Sequence, residues 1–485
     1  MIPTESLRRI EDLPRPRGLP LLGNALQLDP ARLHLQMEEW AQQFGPFYRV
    51  AAAHRQFLVV ADLDTIHQVL RDRPDGFGRL RSYEPAAVEM GFNGVFSAEG
   101  EPWRRQRRVW MASLNAQQLR GFHVQLAEIT QRLLRRWQRA ADRGEVLDVV
   151  AELMRYTVDV TMRFALGHEA NTLEQGEDII QQHLNQIFPA LARRIAAPVP
   201  YWRWIKLPVD RALDRALHAL RGEVARLIES ARARLRAEPA LHESPSCFLE
   251  ALLVARERDP DSLSEQDVFA NAVTVLLGGE DTTATTLSWL IHHCCEHPDV
   301  YQGLRAEADA MLDATPGDEV PRADRFPPYL ERTDAAINET LRLNPVAPLY
   351  GITAKRDAVL GGLRVPSGTD LFLLPRAAAG CAPSSQPTPR FDPGATHDST
   401  DPAARGPGRA VTLPFGYGPR MCPGRNLALS ELRTVPVLLA RHFDLEAVPG
   451  PGPVCERFSF TLVPQNLRVR LHRRRLHGTK DLMTS

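Results

Sequence analysis

The chain has 485 residues, of which 44% are hydrophobic and 24% charged, a composition ordinary for a globular protein that buries a large core. Its 59 basic and 59 acidic residues balance, so no net charge favours binding to nucleic acid. Residues 1–20 hold several arginines and no apolar run, which predicts neither a signal peptide nor a membrane anchor and makes a cytoplasmic protein the expectation.

The chain opens with an irregular lead-in over residues 1–30, punctuated by proline and glycine. The runs 47–50 and 56–60 are rich in aromatic and β-branched residues and lie close enough to pair as a hairpin. Apolar residues then recur at helical spacing in 103–143 and again in 209–236, between many arginines. Both stretches are predicted to be amphipathic surface helices.

The longest predicted helix runs from Ser264 to His297. Ser264 and Asp267 approximate a capping box, and Pro298 ends the helix. At about 1.5 Å per residue it would span roughly 50 Å, so it must cross the core. Its centre nevertheless holds two adjacent glycines, each of which costs about 1 kcal/mol of helix stability. Something other than stability therefore favours glycine there.

Residues 329–343 are predicted to form a further helix, and 359–369 have the turn spacing of a small sheet. The stretch 382–414 is rich in Pro, Gly, Ser and Asp and is predicted to be a flexible loop, and 476–485 a disordered tail. No linker composition interrupts the helical patterning in the middle of the chain. We therefore expect one large domain over 1–485.

The six cysteines show neither a C-x-x-C pair nor even spacing, which argues against a disulfide framework or a structural zinc site. Cys422 differs from the others because it lies in a glycine-rich segment and directly precedes a helical pattern. Amide dipoles at a helix N-terminus, and donors such as Arg420, favour a thiolate there. The alternative is an incidental buried thiol in a turn.

The segment around Cys422 resembles the haem-binding loop of the cytochrome P450 family, F-G-x-G-x-R-x-C-x-G. The matching positions are Phe415, Gly416, Gly418, Arg420, Cys422 and Gly424. The resemblance implies haem b with Cys422 as the thiolate ligand of its iron. It also implies the family's fold, a triangular prism that is mainly α with a minor β region.

Glu339 and Arg342 resemble the E-x-x-R of the same family, and residues three apart on a helix can pair. The resemblance implies a buried structural network behind the haem. The family's P-E-R-F segment supplies its third member, and here that member is Arg390. Taken alone, the spacing would fit an ordinary surface ion pair.

Trp103 and Arg107 resemble the family's W-x-x-x-R, which meets a haem propionate. The planar fork of an arginine suits a carboxylate because it donates two hydrogen bonds. For the second propionate, relatives often carry an arginine in the segment that corresponds to 345–357. This chain has only Lys355 and Arg356 late in that segment, so the second propionate has no predicted partner.

The segment from Gly278 to Thr283 resembles the family's A-G-x-(D/E)-T-T, where the long helix opens to leave a groove for dioxygen. The resemblance implies that Thr282 holds water and oxygen and that Asp281 relays protons. Gly278 stands where the family has alanine, which should widen the space over the iron. The alternative is that these side chains bond back to the previous helical turn.

The resemblance implies a monooxygenase that inserts one oxygen atom from O2 into an apolar small molecule. The pocket candidates are Phe96, Gly278, Leu349 and Gly351. Two alternatives stay open: a haem-thiolate enzyme that couples, rearranges or uses peroxide, and a non-catalytic haem protein. Thr282 and Asp281 argue against the first alternative, and the paired glycines against the second.

Only 63 residues follow Cys422 (485 minus 422), too few for a flavin or iron-sulfur module. Electrons are therefore expected from a ferredoxin or flavodoxin with its NAD(P)H-dependent reductase, and the enzyme is expected to be a monomer. A basic patch on the cysteine side is predicted to dock an acidic partner. It consists of Arg104, Arg105, Arg108 and Arg425.

A run of potential metal ligands, HHCCEH, occupies residues 292–297. Adjacent residues on a helix point in different directions, so no more than two of these side chains can face one ion. We therefore interpret the run as packing residues and solvent-facing histidines.

Overall fold

The computed structural model describes residues 7–114, 116–176, 179–197, 199–312, 320, 322–327, 329–383, 385, 389–394 and 413–474. The helices in this part of the chain, in order, are α1 (Leu33–Phe44), α2 (Leu63–Arg71), α3 (Tyr83–Met90), α4 (Gly100–Ser113), α5 (Ala116–Asp142), α6 (Val149–Leu166), α7 (Thr172–Gln175), α8 (Ile179–Ala196), α9 (Pro208–Ala237), α10 (Phe248–Arg258), α11 (Glu265–Gly279), α12 (Asp281–Glu296), α13 (Pro298–Leu312), α14 (Glu331–Leu343), α15 (Pro375–Ala378) and α16 (Arg425–His442).

The strands are short: β1 (Arg8–Arg9), β2 (Phe47–Ala52), β3 (Arg55–Val60), β4 (Phe77–Arg79), β5 (Val146–Asp148), β6 (Tyr350–Ala354), β7 (Ala358–Leu360), β8 (Leu363–Val365), β9 (Asp370–Leu373), β10 (Phe443–Ala447), β11 (Cys455–Phe458), β12 (Leu462–Gln465) and β13 (Arg468–Arg473). The largest sheet has the order β2-β3-β9-β6-β4, and the smaller ones are β1-β8-β7, β10-β13-β5 and β11-β12.

The predicted hairpin is confirmed, because β2 and β3 pair antiparallel with Phe47 opposite Val60. The predicted small sheet is also present as β7 and β8. It is completed by β1, which pairs parallel to β8. The lead-in, predicted to be irregular throughout, therefore contributes a two-residue strand.

The predicted helices are confirmed with one change. Apolar periodicity continues from 103 to 143, but the chain forms two helices there, because α4 ends at Ser113 and α5 begins at Ala116. Most of the predicted loop 382–414, and the whole predicted tail 476–485, lie outside the described residues.

The long helix is observed as α11 and α12, which meet at Glu280. The predicted capping box is present: the Ser264 hydroxyl accepts from the Asp267 amide at 3.1 Å, and the Ser264 amide donates to the Asp267 carboxylate at 2.9 Å. The join falls within the predicted glycine segment. The helix therefore crosses the core and is interrupted near its middle.

The main core is formed by helices and includes Trp110, Phe248 and Leu287. Two smaller cores lie in the β region, one around Leu58 and the other around Tyr48. The architecture is therefore mainly α with a minor β region, as predicted. Among the described helices, none is both long and apolar enough to cross a membrane.

Candidate active site

The segment 413–424, called the cysteine loop below, is folded by its own backbone. The Gly416 amide donates to the Leu413 carbonyl at 2.9 Å, and the Cys422 amide donates to the Phe415 carbonyl at 2.8 Å. Gly418 has a φ of +71°, and a Cβ there would lie 2.5 Å from the Leu70 carbonyl oxygen. Only glycine fits this contact with the end of α2.

The Cys422 thiol lies at the start of α16 and remains partly accessible. Burial raises its pKa, while hydrogen bonds from the Gly424 and Arg425 amides and the charge of Arg107 oppose that rise. The predicted helix-terminus effect is therefore present. Arg107, rather than the predicted Arg420, is the cation that acts most on the sulfur. A bound metal cation removes the cost of ionisation, since a coordinating thiol is deprotonated.

The side chains of Trp103 and Arg107 tie α4 to the cysteine loop. Arg107 Nη2 donates to the Met421 carbonyl at 2.7 Å. The buried Trp103 ring carries the guanidinium of Arg420 at 4.4 Å from its centroid. Trp103 and Arg107 therefore both lie beside the cysteine loop, and their predicted contact with a haem propionate stays a prediction.

The guanidinium of Arg420 is buried and only partly satisfied. Its Nη2 donates to the Ala98 carbonyl at 2.8 Å and pairs with Glu99 at 2.9 Å. Its Nε and Nη1 are buried and have no hydrogen-bond partner among the described residues. Buried cationic N–H groups of this kind suit a carboxylate ligand. This observation fits a haem propionate.

Helices α4 and α11 are joined by polar contacts on one side of the site. The indole N–H of Trp110 donates to the Asn271 amide oxygen at 2.6 Å, and the Val95 amide donates to the same oxygen at 3.0 Å. Gln106 donates to the Asp267 carboxylate at 2.9 Å. These contacts fix the long helix relative to the helix that holds the cysteine loop.

The centre of the long helix presents accessible residues in an otherwise buried segment. Gly278 is exposed although Leu276 and Leu277 beside it are buried, and a Cβ on Gly278 would meet nothing within 4 Å. Asp281 and Thr282 are also partly accessible. The open space beside Gly278, called the hollow below, therefore lies at the centre of a helix that crosses the core.

The Thr282 hydroxyl donates to the Gly278 carbonyl at 2.8 Å. The hydroxyl hydrogen of Thr282 therefore bonds back to the previous helical turn, which is the alternative stated from the sequence. The hydroxyl oxygen keeps its capacity to accept. Next to it, burial raises the pKa of the Asp281 carboxyl to about 6, so this acid changes protonation close to neutral pH.

Glu339 and Arg342 form the predicted buried pair, with nitrogen–oxygen distances of 2.7 and 2.6 Å. Arg342 also donates to the Cys381 sulfur at 3.0 Å and to the Arg390 carbonyl at 3.0 Å. The prediction for Arg390 needs correction, because its side chain is exposed and only its main chain joins the network. The Asp392 amide donates to Glu339 at 2.9 Å instead.

The pocket candidates have different neighbours, and their role in a substrate pocket stays a prediction. Phe96 packs edge-on against Phe460, with centroids 5.9 Å apart. Leu349 packs instead against the β-region core around Tyr48, and Gly351 is covered by Leu80, since a Cβ there would lie 2.5 Å from that side chain. Phe460, in the turn between β11 and β12, was not predicted. Phe460 and Phe96 are far apart in the sequence, so no local sequence pattern predicts their contact.

The side chains of residues 292–297 point to different surroundings. The His293 ring hydrogen-bonds to the Asn344 side chain at 2.8 Å and stacks on Phe391, with centroids 4.2 Å apart. Burial lowers the pKa of His293 to about 4. Cys294 is buried in the main core. This arrangement fits the packing interpretation.

The family model described as cytochrome P450 matches residues 13–471 of the chain. Cytochrome P450 4c21 of Blattella germanica is 26% identical over 467 residues, covering 92% of this chain and 89% of the relative. Cyclooctat-9-en-7-ol 5-monooxygenase of Streptomyces melanosporofaciens is 28% identical, with 90% of each chain covered. Pentalenene oxygenase of Streptomyces avermitilis is 25% identical, with 94% of this chain and 96% of the relative covered.

Proposed function

Because the chain belongs to the cytochrome P450 family of monooxygenases, which bind haem b through a cysteine thiolate, we propose that Cys422 is the ligand of its haem iron. The observation that supports this proposal is the arrangement of two side chains in the cysteine loop. It places an accessible thiol at a helix N-terminus two residues after a buried guanidinium with unsatisfied N–H groups, Arg420. The first feature suits the iron and the second suits a propionate.

When bound, a thiolate-ligated haem activates dioxygen, because electron density from the sulfur favours cleavage of the O–O bond. The residues of this chain then have separate tasks. Arg107 and Arg420, the second of which lies over the Trp103 ring, would hold the propionates. Asp281 delivers protons from the side of the long helix, and the Thr282 hydroxyl, anchored on the Gly278 carbonyl, accepts and orients the water that carries them.

The proposed substrate is an apolar small molecule that receives one oxygen atom from O2. Phe96 and Phe460 provide aromatic walls, and Gly278 leaves space. Two bacterial relatives carry the names of an alkenol and an alkene, cyclooctat-9-en-7-ol and pentalenene. Their identity to this chain is low, so the names support the class of substrate and not the molecule.

We propose that electrons come from a ferredoxin or flavodoxin that docks on the cysteine side. Arg105, Arg108 and Arg425 are exposed there. Arg104, the fourth member of the predicted patch, is paired with Glu101 and Asp75 and contributes less free charge. The cytoplasmic location and the monomeric state stay predictions from the sequence.

The test of this function uses Thr282→Val, which removes the hydroxyl and keeps the shape. We expect product formed per O2 consumed to fall about ten-fold or more, since a positioned proton-transfer group contributes 10²–10⁴-fold. The matched control is Thr286→Val one turn later, whose hydroxyl bonds back to the Thr282 carbonyl at 3.0 Å. Coupling should stay at the wild-type level in that control.

Equal coupling in Thr282→Val and wild type would contradict the proposed proton delivery. Full turnover with peroxide alone, with no dependence on O2 and reductase, would instead support the peroxide-using alternative.

A further inference from the structure

Arg73 follows α2 and is buried, with 6% of its surface exposed. Its Nε and Nη2 lie in the interior without a hydrogen-bond partner among the described residues. A buried guanidinium that makes no ion pair is strongly unfavourable, because the cost of removing its charge from water is not offset by an interaction with an anion. Such a residue persists where a ligand completes it.

The surroundings of Arg73 add positive charge. Burial lowers its pKa, and the charges of Arg79 and Arg420 lower it further. The three residues, called the arginine cluster below, thus repel one another in the interior. Arg420 contributes two more buried nitrogens without partners, Nε and Nη1.

Two carboxylates act on this cluster, and both are already engaged. Glu84 acts on Arg420 and accepts the Glu99 amide at 3.0 Å. Glu99 pairs with Arg420 at 2.9 Å and with Lys355 at 3.1 Å, and it accepts the Arg79 amide at 3.0 Å. Two acids, one of them shared with Lys355, cannot neutralise the three arginines of the cluster. The arginine cluster therefore lacks negative charge, although it offers several buried N–H donors to an anion.

The arginine cluster lies close to Cys422. The phenol of Tyr350 interacts electrostatically with Arg73, Arg79 and the Cys422 sulfur. Arg73 also lines a cleft of about 480 Å³ together with Trp103 and Arg107. The unsatisfied donors of Arg73 thus belong to the same part of the molecule as the W-x-x-x-R residues.

We propose that Arg73 binds a haem propionate together with Arg420, and so supplies the partner that the segment 345–357 lacks. The inference rests on the proposed haem binding. It adds a positioning residue outside the motifs that the sequence resembles. The carboxylate receives paired N–H donors and neutralises the arginine cluster, which in turn holds the cofactor in one orientation.

The test measures the rate at which the purified ferric holoprotein loses haem to excess apomyoglobin. Arg73→Gln should lose haem about ten-fold faster or more, because a hydrogen bond to a charged group is removed. Arg73→Lys, which keeps the charge and loses the fork, should fall in between. The control Arg211→Gln, an exposed arginine on α9, should match wild type.

A second measurement uses wild type reconstituted with haem dimethyl ester, whose propionates carry no charge. The ester should be lost faster than haem from wild type, and esterification should speed the loss from Arg73→Gln by a smaller factor, because only Arg107 and Arg420 then remain as partners of the propionates. Equal loss rates of Arg73→Gln and wild type would overturn the inference. So would equal retention of ester and haem by wild type, even if Arg73→Gln fails to fold.

The reduced carbon monoxide spectrum separates this inference from the proposed function. If the thiolate-type band is present in wild type and in every Arg73 variant while haem loss is unchanged, Arg73 alone is wrong. If wild type lacks that band, the assignment of Cys422 is wrong.

Discussion

The Asp281 carboxyl lies beside two glycines in the middle of the long helix, and burial raises its pKa from 3.8 to about 6. A carboxyl with a raised pKa in the fold is ionised at neutral pH only at a cost in stability. That cost grows as pH rises from the unfolded pKa to the folded one, and it is constant above. The residue that we propose for proton delivery thus weakens the fold around it.

Asp281→Asn should therefore separate activity from stability. We expect product per O2 consumed to fall, while the free energy of unfolding rises by about 1–2 kcal/mol at pH 8. The gain should be smaller at pH 5, where the folded carboxyl is mostly protonated. Denaturation and coupling, measured at both pH values, check this. The exposed control Asp261→Asn should show no such pH dependence, and a variant less stable than wild type at pH 8 would contradict the account.

The place of an individual residue was predictable where a short motif sets its position. It was much less predictable where contacts distant in sequence set the direction of the side chain. Cys422 and the Glu339–Arg342 pair follow from short spacings, and the structure places them as expected. Arg390 turns its side chain to solvent and joins the network only through its carbonyl. The direction of a side chain in an irregular segment depends on neighbours distant in sequence, so no local pattern reports it.

At the scale of elements, the pair α11 and α12 shows how adjacent glycines differ. Gly278 opens on space, whereas a Cβ on Gly279 would lie 2.4 Å from the hydroxyl of Thr161 on α6. Thr161 is buried and β-branched, so it has little freedom to move. Gly279 therefore serves helix packing, and Gly278 serves the hollow.

Alanine at these two positions should act in opposite directions. Gly278→Ala should stabilise the protein by up to about 1 kcal/mol, because alanine is the better helix former. It should also weaken binding of bulky ligands, because the methyl group enters the hollow. Gly279→Ala should destabilise by about 1–3 kcal/mol through overpacking. Chemical denaturation and ligand titration check both variants, and the reverse order of stabilities would contradict the assignment.

Elements were predictable to the extent that their signals are local. The capping box at Ser264 and the hairpin pairing Phe47 with Val60 both follow from residues close in sequence. The division of 103–143 into α4 and α5 was missed because apolar periodicity continues across the break. The pairing of β1 with β8 joins segments that are distant in sequence, so neither segment alone predicts it.

At the scale of the whole molecule, the basic and acidic residues are equal in number but are not evenly distributed over the surface. The cysteine side carries exposed arginines in the middle of α4, and the proposed acidic redox partner would complement such a surface. Exposed charges at the rim of an interface act mainly on the rate of association, and salt screens them.

The double variant Arg105→Glu, Arg108→Glu should raise the apparent KM for an acidic ferredoxin or flavodoxin several-fold and leave the turnover at saturating partner nearly unchanged. The rise should shrink at high ionic strength. The control Arg211→Glu, Arg215→Glu changes the same charge on the exposed face of α9. Steady-state kinetics with varied partner check this, and identical KM values in the two double variants would exclude the proposed docking surface.

The measurement that bears most directly on the whole account is the carbon monoxide spectrum of the reduced protein. Wild type and Cys455→Ala, which removes an exposed thiol, should both show the long-wavelength Soret band of thiolate-ligated haem. Cys422→Ala should lose that band. If Cys422→Ala keeps it, or if intact wild type with bound haem never shows it, the sulfur at 422 is not the iron ligand.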